Sequence, residues 1–445
     1  MGFWDAVIGG WSVGVPGTPA LMQAAHDKWG KSDWAGLFDA ATRLADEGFE
    51  VSPRLSQLVL ANVPALTRYE PSANYFLPDG MPPVAGTVLK NPDYANVMRC
   101  MASEGAQVIY QGEIAQDIVD TVRGFDPNPG VMSLADLAAY EVKERPAVCA
   151  PFRGLEVCGM GPPSSGALTV GQILGMLDAS EPGAADDPQT WRRIGDASRL
   201  AFADRGRYMA DSDFVPVPVT GLVAEGYLAQ RAELLQGDDA LPEVSAGDPE
   251  FDHAMNWAED ESIEFPSTSH ISIVDSFGNA LSMTTTIENA FGSRLMVSGF
   301  LLNNELTDFS FRSHADGVPI ANRVEPGKRP RSSMSPTIVL RDGAPVLAIG
   351  EGLTMYLTES DGLDLLNRVV GHCGTGELQF DAFNSLGIRS QWSNSVVRRS
   401  GATLRWAVNG PDDILRNVPG TRLLANAMSR VSELRYMAQY HRYSF

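Results

Sequence analysis

The sequence predicts an α+β fold in which helices stack on β-sheets. Residues 18–64 place apolar side chains at intervals of three and four, which is the period of an amphipathic helix, and similar stretches follow. From residue 269 the apolar period changes to two, which is typical of β-strands. Turn sequences interrupt this second region at 277–279 and at Asp342-Gly343, where hairpins are expected. Helices followed by strands indicate a layered α+β protein.

The helical patterns follow one another along the first half of the chain. TPALMQAAHDKWG and WAGLFDAATRLADEGF each end near a glycine, as helices commonly do. After a loop rich in Pro, Gly and Asn at 71–91, NVMRCMASEGAQVIY and GEIAQDIVDTVRGF are again amphipathic. LADLAAY predicts a helix and PAVCAPFRGLEVCGM predicts strands joined by a turn. The loop GPPSSG then leads to the helix ALTVGQILGMLD and to a long helix from about Pro188 to Met209.

The strands follow an acidic segment. Residues 236–262 are acidic and poor in aromatic residues, which predicts an exposed and mobile stretch. SHISIVDSFGNALSMTTTI then predicts a hairpin of two strands, ISIVD and ALSMTTTI. TIVLRDGAPVLAIG predicts a second strand pair.

Composition and charge exclude several classes of protein. The 445 residues are 44% hydrophobic and 20% charged, which is in the globular range and allows a large core. The formal net charge of −21 argues against nucleic-acid binding, because a phosphate backbone requires a basic surface. No stretch approaches the roughly 18 apolar residues that a membrane helix needs. The N-terminus, as the sequence stands, has no secretory signal pattern.

Metals and organic cofactors are not expected. The six His and four Cys form neither an HExxH motif nor a CxxC pair. The widely spaced cysteines are expected to be ordinary buried thiols: Cys100, Cys149, Cys158 and Cys373.

The end of the chain differs in composition from the rest. Residues 351–445 contain ten Arg, no Lys and nine acidic residues, whereas residues 1–350 are strongly acidic. They also contain only two of the chain's 29 Pro. We expect either a separate basic domain or an out-of-frame terminus here.

Thr268 lies where the acidic segment meets the first predicted strand, in Ser267-Thr268-Ser269-His270. A threonine hydroxyl becomes a nucleophile when a base lies beside it. Its own α-amino group, with an ordinary pKa of about 8, can serve as that base once the preceding peptide bond is cut. Composition alone favours the interpretation of Thr268 as an ordinary threonine in a strand. His270 is expected to be a core or hydrogen-bonded residue, because adjacent strand residues point to opposite faces.

Several motifs, in order along the chain, resemble the gamma-glutamyltranspeptidase family. SHISIVDSFGNALSMTTTIENAFGS, SGFLLNNELTDFS and KRPRSSMSPTIV are similar to the small-subunit core of that family. Upstream, SVGVPGT, DEGFEVSPRL, GPPSSGALT and LAFADRGRY resemble its large subunit. The resemblance covers most of residues 10–350. It implies self-cleavage between Ser267 and Thr268 into two chains that stay associated.

The resemblance also implies a fold and a division of the chain. The fold is the αββα sandwich of the N-terminal-nucleophile hydrolases, which we expect to be incomplete at both termini. The division is a mostly helical, N-terminally truncated large-subunit-like region over 1–267 and a small-subunit-like β core over 268–350. Residues 351–445 are expected to be a divergent tail.

Site residues follow from the resemblance position by position. Thr268 matches the nucleophile of the family, and Thr286 matches the threonine that hydrogen-bonds it and supports self-processing. Glu305 and Asp308, in NNELTDF, match residues that hold the α-ammonium group of the substrate. Charge-assisted hydrogen bonds to a cation explain that choice of residue type.

Three further positions bear on substrate binding. Ser332 and Ser333, in RSSMSP, match a serine pair that contacts the carboxylate end of the substrate; without the resemblance they would be ordinary turn serines. The family typically has Asn at the position of Glu288. The added negative charge near the ammonium pocket favours other acyl groups.

Two departures bear on activity. No Arg motif of the type that clamps the glutamyl carboxylate precedes Trp11. EGLTMYLTESDG follows Gly350, where the family has a Gly-Gly loop that forms the oxyanion hole. Each oxyanion donor contributes about 100- to 1000-fold in rate.

The resemblance implies transfer of a γ-glutamyl group from glutathione-like amides to water or amino acids through a threonine ester. The implied partners are that small-molecule substrate and the two chains of one precursor, with no nucleic acid, membrane segment, metal or organic cofactor. Two alternatives stay open: a related acylase acting on glutaryl or cephalosporin-type amides, and an inactive truncated homologue. Members of the family are usually periplasmic or extracellular.

Overall fold

The computed structural model describes residues 2–181, 183–184, 187–253, 256–260, 262, 268–275, 277–347, 357–373, 377–391, 404–428 and 438–444. Its α-helices are α1 (Phe3–Val7), α2 (Thr18–Trp29), α3 (Asp39–Glu47), α4 (Pro53–Leu66), α5 (Glu70–Phe76), α6 (Pro92–Glu104), α7 (Glu113–Gly124), α8 (Leu134–Ala138), α9 (Gly166–Asp178), α10 (Pro188–Tyr208), α11 (Val219–Leu222), α12 (Glu225–Glu233), α13 (Glu359–Cys373), α14 (Ser385–Arg389) and α15 (Pro411–Asn417). The strands are β1 (Phe49–Glu50), β2 (Val88–Leu89), β3 (Val148–Phe152), β4 (Leu155–Gly159), β5 (Ser269–Val274), β6 (Ala280–Thr285), β7 (Met296–Val297), β8 (Phe300–Leu301), β9 (His314–Ala315), β10 (Val318–Pro319), β11 (Thr337–Arg341), β12 (Ala344–Leu347), β13 (Glu377–Phe383), β14 (Arg422–Met428) and β15 (Ala438–Ser444). This mixture of helices and sheets is the predicted α+β architecture.

Local sequence chemistry fixes where several helices begin and end. The Ser52 hydroxyl accepts a hydrogen bond from Leu55 N at 3.1 Å and caps the start of α4. Gly30 follows α2 and Gly48 follows α3, which confirms the two glycine-terminated helices predicted within 18–64. No helix in the described part of the chain is both long and apolar enough to cross a lipid bilayer.

Helices α1, α6, α7 and α8 contribute buried side chains to one hydrophobic core. Val7, Ile118 and Leu137 are fully buried in it. Leu295, from the strand-rich half of the chain, is buried in the same core. The two halves of the chain are therefore packed together and not merely adjacent in sequence.

The central sheet is antiparallel, in the order β12-β11-β4-β3. Its middle pair, β4 and β11, joins a strand before Thr268 to a strand after it. Helix α9 lies so close to the sheet that a Cβ at Gly171 would come within 2.8 Å of the Ala150 Cβ. Asp342 and Gly343 both have positive φ, 52° and 78°, which confirms the predicted turn between β11 and β12.

Strands β5 and β6 form the predicted hairpin. Ser269 pairs with Thr285 in an antiparallel register that continues to the turn. Asp275 Oδ1 accepts hydrogen bonds from Phe277 N at 2.8 Å and Asn279 N at 2.9 Å, which closes that turn. The hairpin turn predicted around 277–279 is confirmed.

The hairpin contacts the central sheet along one strand and leaves apolar side chains in solvent. Thr337 N of β11 donates to Ser282 Oγ of β6 at 3.0 Å. Ile271, Ile273 and Leu281 are 44–51% exposed. An apolar surface of this kind indicates a face that is not covered by the described residues.

Two cysteines correct the expectation of ordinary thiols. Cys149 and Cys158 stand directly opposite each other on β3 and β4 and form a disulfide. Strand register decides this pairing, and register is a tertiary property that cysteine spacing does not reveal. Cys100 is a half-buried free thiol, whereas the side chain of Cys373 lies outside the described residues.

The acidic segment 236–262 is predicted to be exposed and mobile, and the predicted exposure is wrong for part of it. Trp257 is 3% exposed and belongs to the core that α9, α10 and α12 share. The side chain of Asp260 is 2% exposed and forms an ion pair. One aromatic side chain and one paired charge are enough to anchor a stretch whose average composition is polar.

The described residues beyond 357 have a hydrophobic core of their own. Strands β13, β15 and β14 form a three-stranded antiparallel sheet in that order. Trp406, Val408, Ile414 and Tyr443 are buried against it.

Candidate active site

Thr268 is exposed and immediately precedes β5. Ser269 pairs with Thr285, so the next position in the same register sets Thr268 opposite Thr286 at the open end of the hairpin. The Thr286 hydroxyl accepts a hydrogen bond from Glu288 N at 2.9 Å. The two predicted catalytic threonines therefore share one end of one hairpin.

The neighbouring residues are placed differently. His270 is exposed, and its ring is hydrogen-bonded to Thr284 Oγ1 at 2.9 Å and Ser272 Oγ at 3.0 Å, as expected for a hydrogen-bonded histidine. Ser267, on the other side of the predicted cleavage bond, lies outside the described residues. The stretch directly after β12, to which the resemblance assigns the oxyanion loop, also lies outside the described residues.

The SVGVPGT segment closes one side of the hairpin end. The Asn303 side chain exchanges two hydrogen bonds of 2.9 Å with the backbone of Gly14. Thr18 Oγ1 lies 3.3 Å from Thr285 Oγ1. Two motifs nearly 300 positions apart in sequence thus meet beside Thr286.

An acidic cluster follows the hairpin. Glu288 is buried with a positive φ of 69°, and its carboxylate accepts a hydrogen bond from Asn304 Nδ2. The Asn304 Oδ1 accepts from Asn289 N at 2.9 Å. Burial and the nearby charge of Glu288 raise the pKa of Glu305 to about 7. Near neutral pH Glu305 therefore changes its charge.

Arg294 is a cation in this cluster that sequence reasoning missed. It is buried, and its Nη2 donates to Asn289 Oδ1 at 2.9 Å and to Asn62 Oδ1 at 3.3 Å. Burial lowers the pKa of Arg294 to about 10, and the charge of Glu288 opposes that shift. The Asn-to-Glu departure is thus offset by a buried positive charge, which no local sequence signal indicates.

The serine pair lies on a loop held by the GPPSSG loop. Ser332 N donates to Pro163 O at 3.0 Å, and Ser332 O accepts from Ser165 N at 2.9 Å. Ser333 Oγ accepts a hydrogen bond of 2.6 Å from Arg205 Nη2. Arg205 was not predicted as a site residue, because its contact with Ser333 is visible only in the folded chain.

A buried asparagine connects the acidic cluster to the serine loop. Asn322 Nδ2 donates to Asp308 O at 2.8 Å. Its Oδ1 accepts from Arg331 N at 2.9 Å, directly before Ser332. The predicted residues Asp308 and Ser332 therefore lie on two segments that share one support.

Asp260 and Arg331 form a buried ion pair of 3.1 Å, with both side chains at most 2% exposed. Burial by itself raises the pKa of Asp260. The charge of Arg331 and hydrogen bonds from Ser262 and Ser310 outweigh burial and lower that pKa. The acidic segment before Thr268 is thus fixed to the serine loop.

The arrangement offers an exposed threonine hydroxyl at the start of a strand, carboxylates that could hold a cation and serines that could hold an anion. Among the described residues, no cluster of His, Cys, Asp and Glu is arranged to hold a metal ion. The chemistry that these groups can perform is acyl transfer through a threonine.

Comparison with known proteins places the chain in a family. The family model described as gamma-glutamyltranspeptidase matches residues 3–352. The glutathione hydrolase proenzyme of Bacillus subtilis (strain 168) is 34% identical over 360 residues, which cover 78% of this chain and 59% of that protein. The glutathione hydrolase proenzyme of Escherichia coli (strain K12) is 34% identical over 404 residues, covering 86% and 65%. The chain thus spans about three fifths of the length of these relatives.

The chain is also similar to acylases and to proteins of known structure. The acylase ACY 1 proenzyme of Pseudomonas sp. (strain SE83) is 31% identical over 349 residues, covering 77% of this chain and 59% of that protein. The cephalosporin acylase of Bacillus halodurans has a TM-score of 0.68 at 20% identity over 98% of this chain and 77% of its own, which shows a shared fold. The crystal structure of Helicobacter pylori gamma-glutamyltranspeptidase has a TM-score of 0.51 at 31% identity over 53% of this chain and 68% of its own. This chain belongs to the gamma-glutamyltranspeptidase family.

Proposed function

We propose that this chain is a self-processing enzyme that transfers a γ-glutamyl group from glutathione-like amides to water or to amino acids. The carrying observation is the hairpin register, which ends at the Ser269–Thr285 pair and leaves Thr268 and Thr286 together at the open end, where Glu288 N donates to Thr286 Oγ1. Relatives at 34% identity are named glutathione hydrolase proenzymes, which supports both the reaction and a precursor.

The proposed mechanism begins with cleavage between Ser267 and Thr268, which frees the α-amine of Thr268. That amine accepts the hydroxyl proton while the oxygen attacks the γ-amide carbonyl. The tetrahedral intermediate collapses, the C–N bond breaks, and the amine returns the proton to the leaving nitrogen. Water or an amino acid then attacks the threonine ester and regenerates the hydroxyl.

Substrate recognition is proposed to use opposite charges at the two groups on the glutamyl α-carbon. Glu305 and Asp308 hold the ammonium group, and Ser332 and Ser333 donate hydrogen bonds to the carboxylate. The shared support through Asn322 favours this division, because it keeps the two segments at a constant separation.

We further infer an αββα sandwich, incomplete at its termini, divided into a large-subunit-like region over 1–267, a small-subunit-like core over 268–350 and a divergent tail over 351–445. The pairing of β4 with β11 supports two chains that remain together, because its hydrogen bonds would cross between them after cleavage. The core that contains Leu295 would be shared in the same way.

A denaturing gel with intact-mass analysis tests self-processing. The wild-type protein is expected to give a light chain that begins at Thr268, whereas Thr268→Ala stays as one band of 47.9 kDa. Release of nitroaniline from γ-glutamyl-p-nitroanilide tests the reaction. An uncut wild-type chain without activity would favour an inactive homologue.

A related acylase is the second candidate, because Glu288 adds a carboxylate beside the proposed ammonium pocket. The similarity to the acylase ACY 1 proenzyme supports it. A glutaryl amide hydrolysed in place of the γ-glutamyl amide would decide for the acylase.

A further inference from the structure

Arg205 contacts both the GPPSSG loop and the loop that contains Ser332 and Ser333. It lies in the last turn of α10 and is 5% exposed, so its charge requires partners. Its Nε donates to Ser165 Oγ at 2.8 Å and its Nη2 donates to Ser333 Oγ at 2.6 Å. The guanidinium also lies over the Phe202 ring, 5.5 Å from the centroid. One planar cation therefore contacts both loops at once.

The backbone of the serine loop is held independently of Arg205. Ser332 is fixed through its N–H to Pro163 and through its carbonyl to Ser165. A Cβ at Gly166 would come within 2.5 Å of Met334 O, so the two loops are also closely packed. What depends on Arg205 is the orientation of the Ser333 hydroxyl.

The direction of the Arg205 hydrogen bond fixes what Ser333 can do. A guanidinium donates and cannot accept, so Ser333 Oγ is the acceptor and this contact does not use its own proton. A hydrogen bond from a cation also polarises the hydroxyl and makes it a stronger donor. A substrate carboxylate accepts and cannot donate, which matches this orientation.

We propose that Arg205 is a positioning residue that makes Ser333 a selective donor to the carboxylate of the substrate. This inference rests on the proposed function and names the group on which carboxylate selectivity depends. Arg205 would also supply a buried positive charge next to the proposed carboxylate subsite.

Three p-nitroanilides test the proposal. γ-Glutamyl-p-nitroanilide has both charged groups, glutaryl-p-nitroanilide has only the carboxylate, and 4-aminobutyryl-p-nitroanilide has only the ammonium. In Arg205→Lys we expect KM to rise about ten- to a hundred-fold for the two carboxylate-bearing substrates, with kcat nearly unchanged. The KM of the 4-aminobutyryl substrate should not change.

Matched variants separate positioning from general stability. Arg199→Gln, which alters a partly exposed arginine on the same helix, is expected to leave all three KM values unchanged. In a Ser333→Ala background, Arg205→Lys should raise KM no further. Equal KM increases for all three substrates, or additive effects of the two substitutions, would overturn the proposal.

If Arg205→Lys does not fold, Ser165→Ala carries the test, because it removes one anchor of Arg205 and keeps the charge. Ser332 O also loses its contact with Ser165 Oγ but keeps the hydrogen bond from Ser165 N. A smaller KM increase, again confined to carboxylate-bearing substrates, is then expected. An unchanged KM ratio would contradict the proposal.

The proposed γ-glutamyl function can be wrong while the proposal about Arg205 holds. Hydrolysis of the glutaryl substrate alone would remove the γ-glutamyl assignment and leave the Arg205 test intact. If the wild-type protein hydrolyses none of the three, calorimetric titration with glutarate replaces kinetics. Binding that Arg205→Lys abolishes would support the proposal, whereas equal binding or none by the wild-type protein would refute it.

Discussion

Glu305 and Glu288 are two carboxylates in one region of low solvent access, and their surroundings differ. Asn304 donates a hydrogen bond to Glu288, whereas burial and the charge of Glu288 raise the pKa of Glu305 to about 7. If Glu305 holds the substrate ammonium, it must be ionised to do so. Its titration then falls near neutral pH.

The first prediction concerns the pH profile of KM. We expect the KM of γ-glutamyl-p-nitroanilide to rise as the pH falls through about 7, because protonated Glu305 no longer attracts the ammonium group. Glu288→Gln removes a neighbouring negative charge and should move this inflection to lower pH. Steady-state kinetics across the pH range provide the measurement, with the exposed Glu141→Gln as control. An inflection that stays in place in Glu288→Gln would contradict the assignment.

The second prediction concerns stability. The folded protein binds the Glu305 proton more tightly than the unfolded chain, so ionisation of Glu305 destabilises the fold. This cost is absent below the ordinary glutamate pKa of 4.5, grows as the pH rises to about 7 and is complete above it. Glu305→Gln should therefore raise the free energy of unfolding above pH 7, by at most about 3 kcal/mol, and not below pH 4.5. Urea unfolding at both pH values checks this, and equal effects at both would contradict it.

At the scale of elements, the contact of the GPPSSG loop with the serine loop depends on the absence of a side chain. A Cβ at Gly166 would lie 2.5 Å from Met334 O and 2.6 Å from Ser335 Cα, both backbone atoms that cannot rotate away. The start of α9 and the serine loop are therefore positioned together.

The third prediction follows from this contact. Gly166→Ala should displace the serine loop, destabilise the protein by about 1–3 kcal/mol and raise the KM of carboxylate-bearing substrates. Gly195→Ala, in the exposed middle of α10 with no atom within 4 Å of the added Cβ, should be neutral or stabilising by about 1 kcal/mol. Thermal unfolding and kinetics of both variants provide the test. Equal stability of the two variants would show that the serine loop can shift without destabilising the protein.

At the scale of the whole molecule, Asp260 and Arg331 fix the segment before Thr268 to the strand-rich half. The fourth prediction is that Asp260→Asn lowers the free energy of unfolding by about 3–5 kcal/mol, because the buried Arg331 loses the negative charge of Asp260. Asp178→Asn, in the exposed pair with Arg153, should cost at most about 1 kcal/mol. Chemical unfolding curves measure both. Similar losses in the two variants would mean that the buried pair contributes no more than a surface pair.

Sequence reasoning predicted those parts of the fold that depend on local chemistry. The long helix from Pro188 and the turn at Asp342-Gly343 follow from period and turn residues, and both are confirmed. The Cys149–Cys158 disulfide and the burial of Asp260 were missed. Both depend on which strand or side chain lies opposite, and neighbours in sequence do not carry that information.

The candidate site also contains residues that the sequence predicted and residues that it did not. Thr268 and Ser333 were found because their motifs resemble a family, and their roles stay predictions. Arg205 and Arg294 were not found, since each acts through a contact with a residue more than a hundred positions away or through burial. Arg205 lies in the LAFADRGRY motif, but a single sequence does not indicate that its side chain bridges two loops.

The Asp260–Arg331 pair limits how far a chain end made by cleavage after Ser267 could travel. Seven residues separate Asp260 from that end in the sequence, so its reach is at most about 25 Å. A terminal carboxylate confined to such a volume has an effective concentration in the millimolar range. Cleavage would therefore leave the new chain end tethered, within that reach, to the loop that contains Ser332 and Ser333.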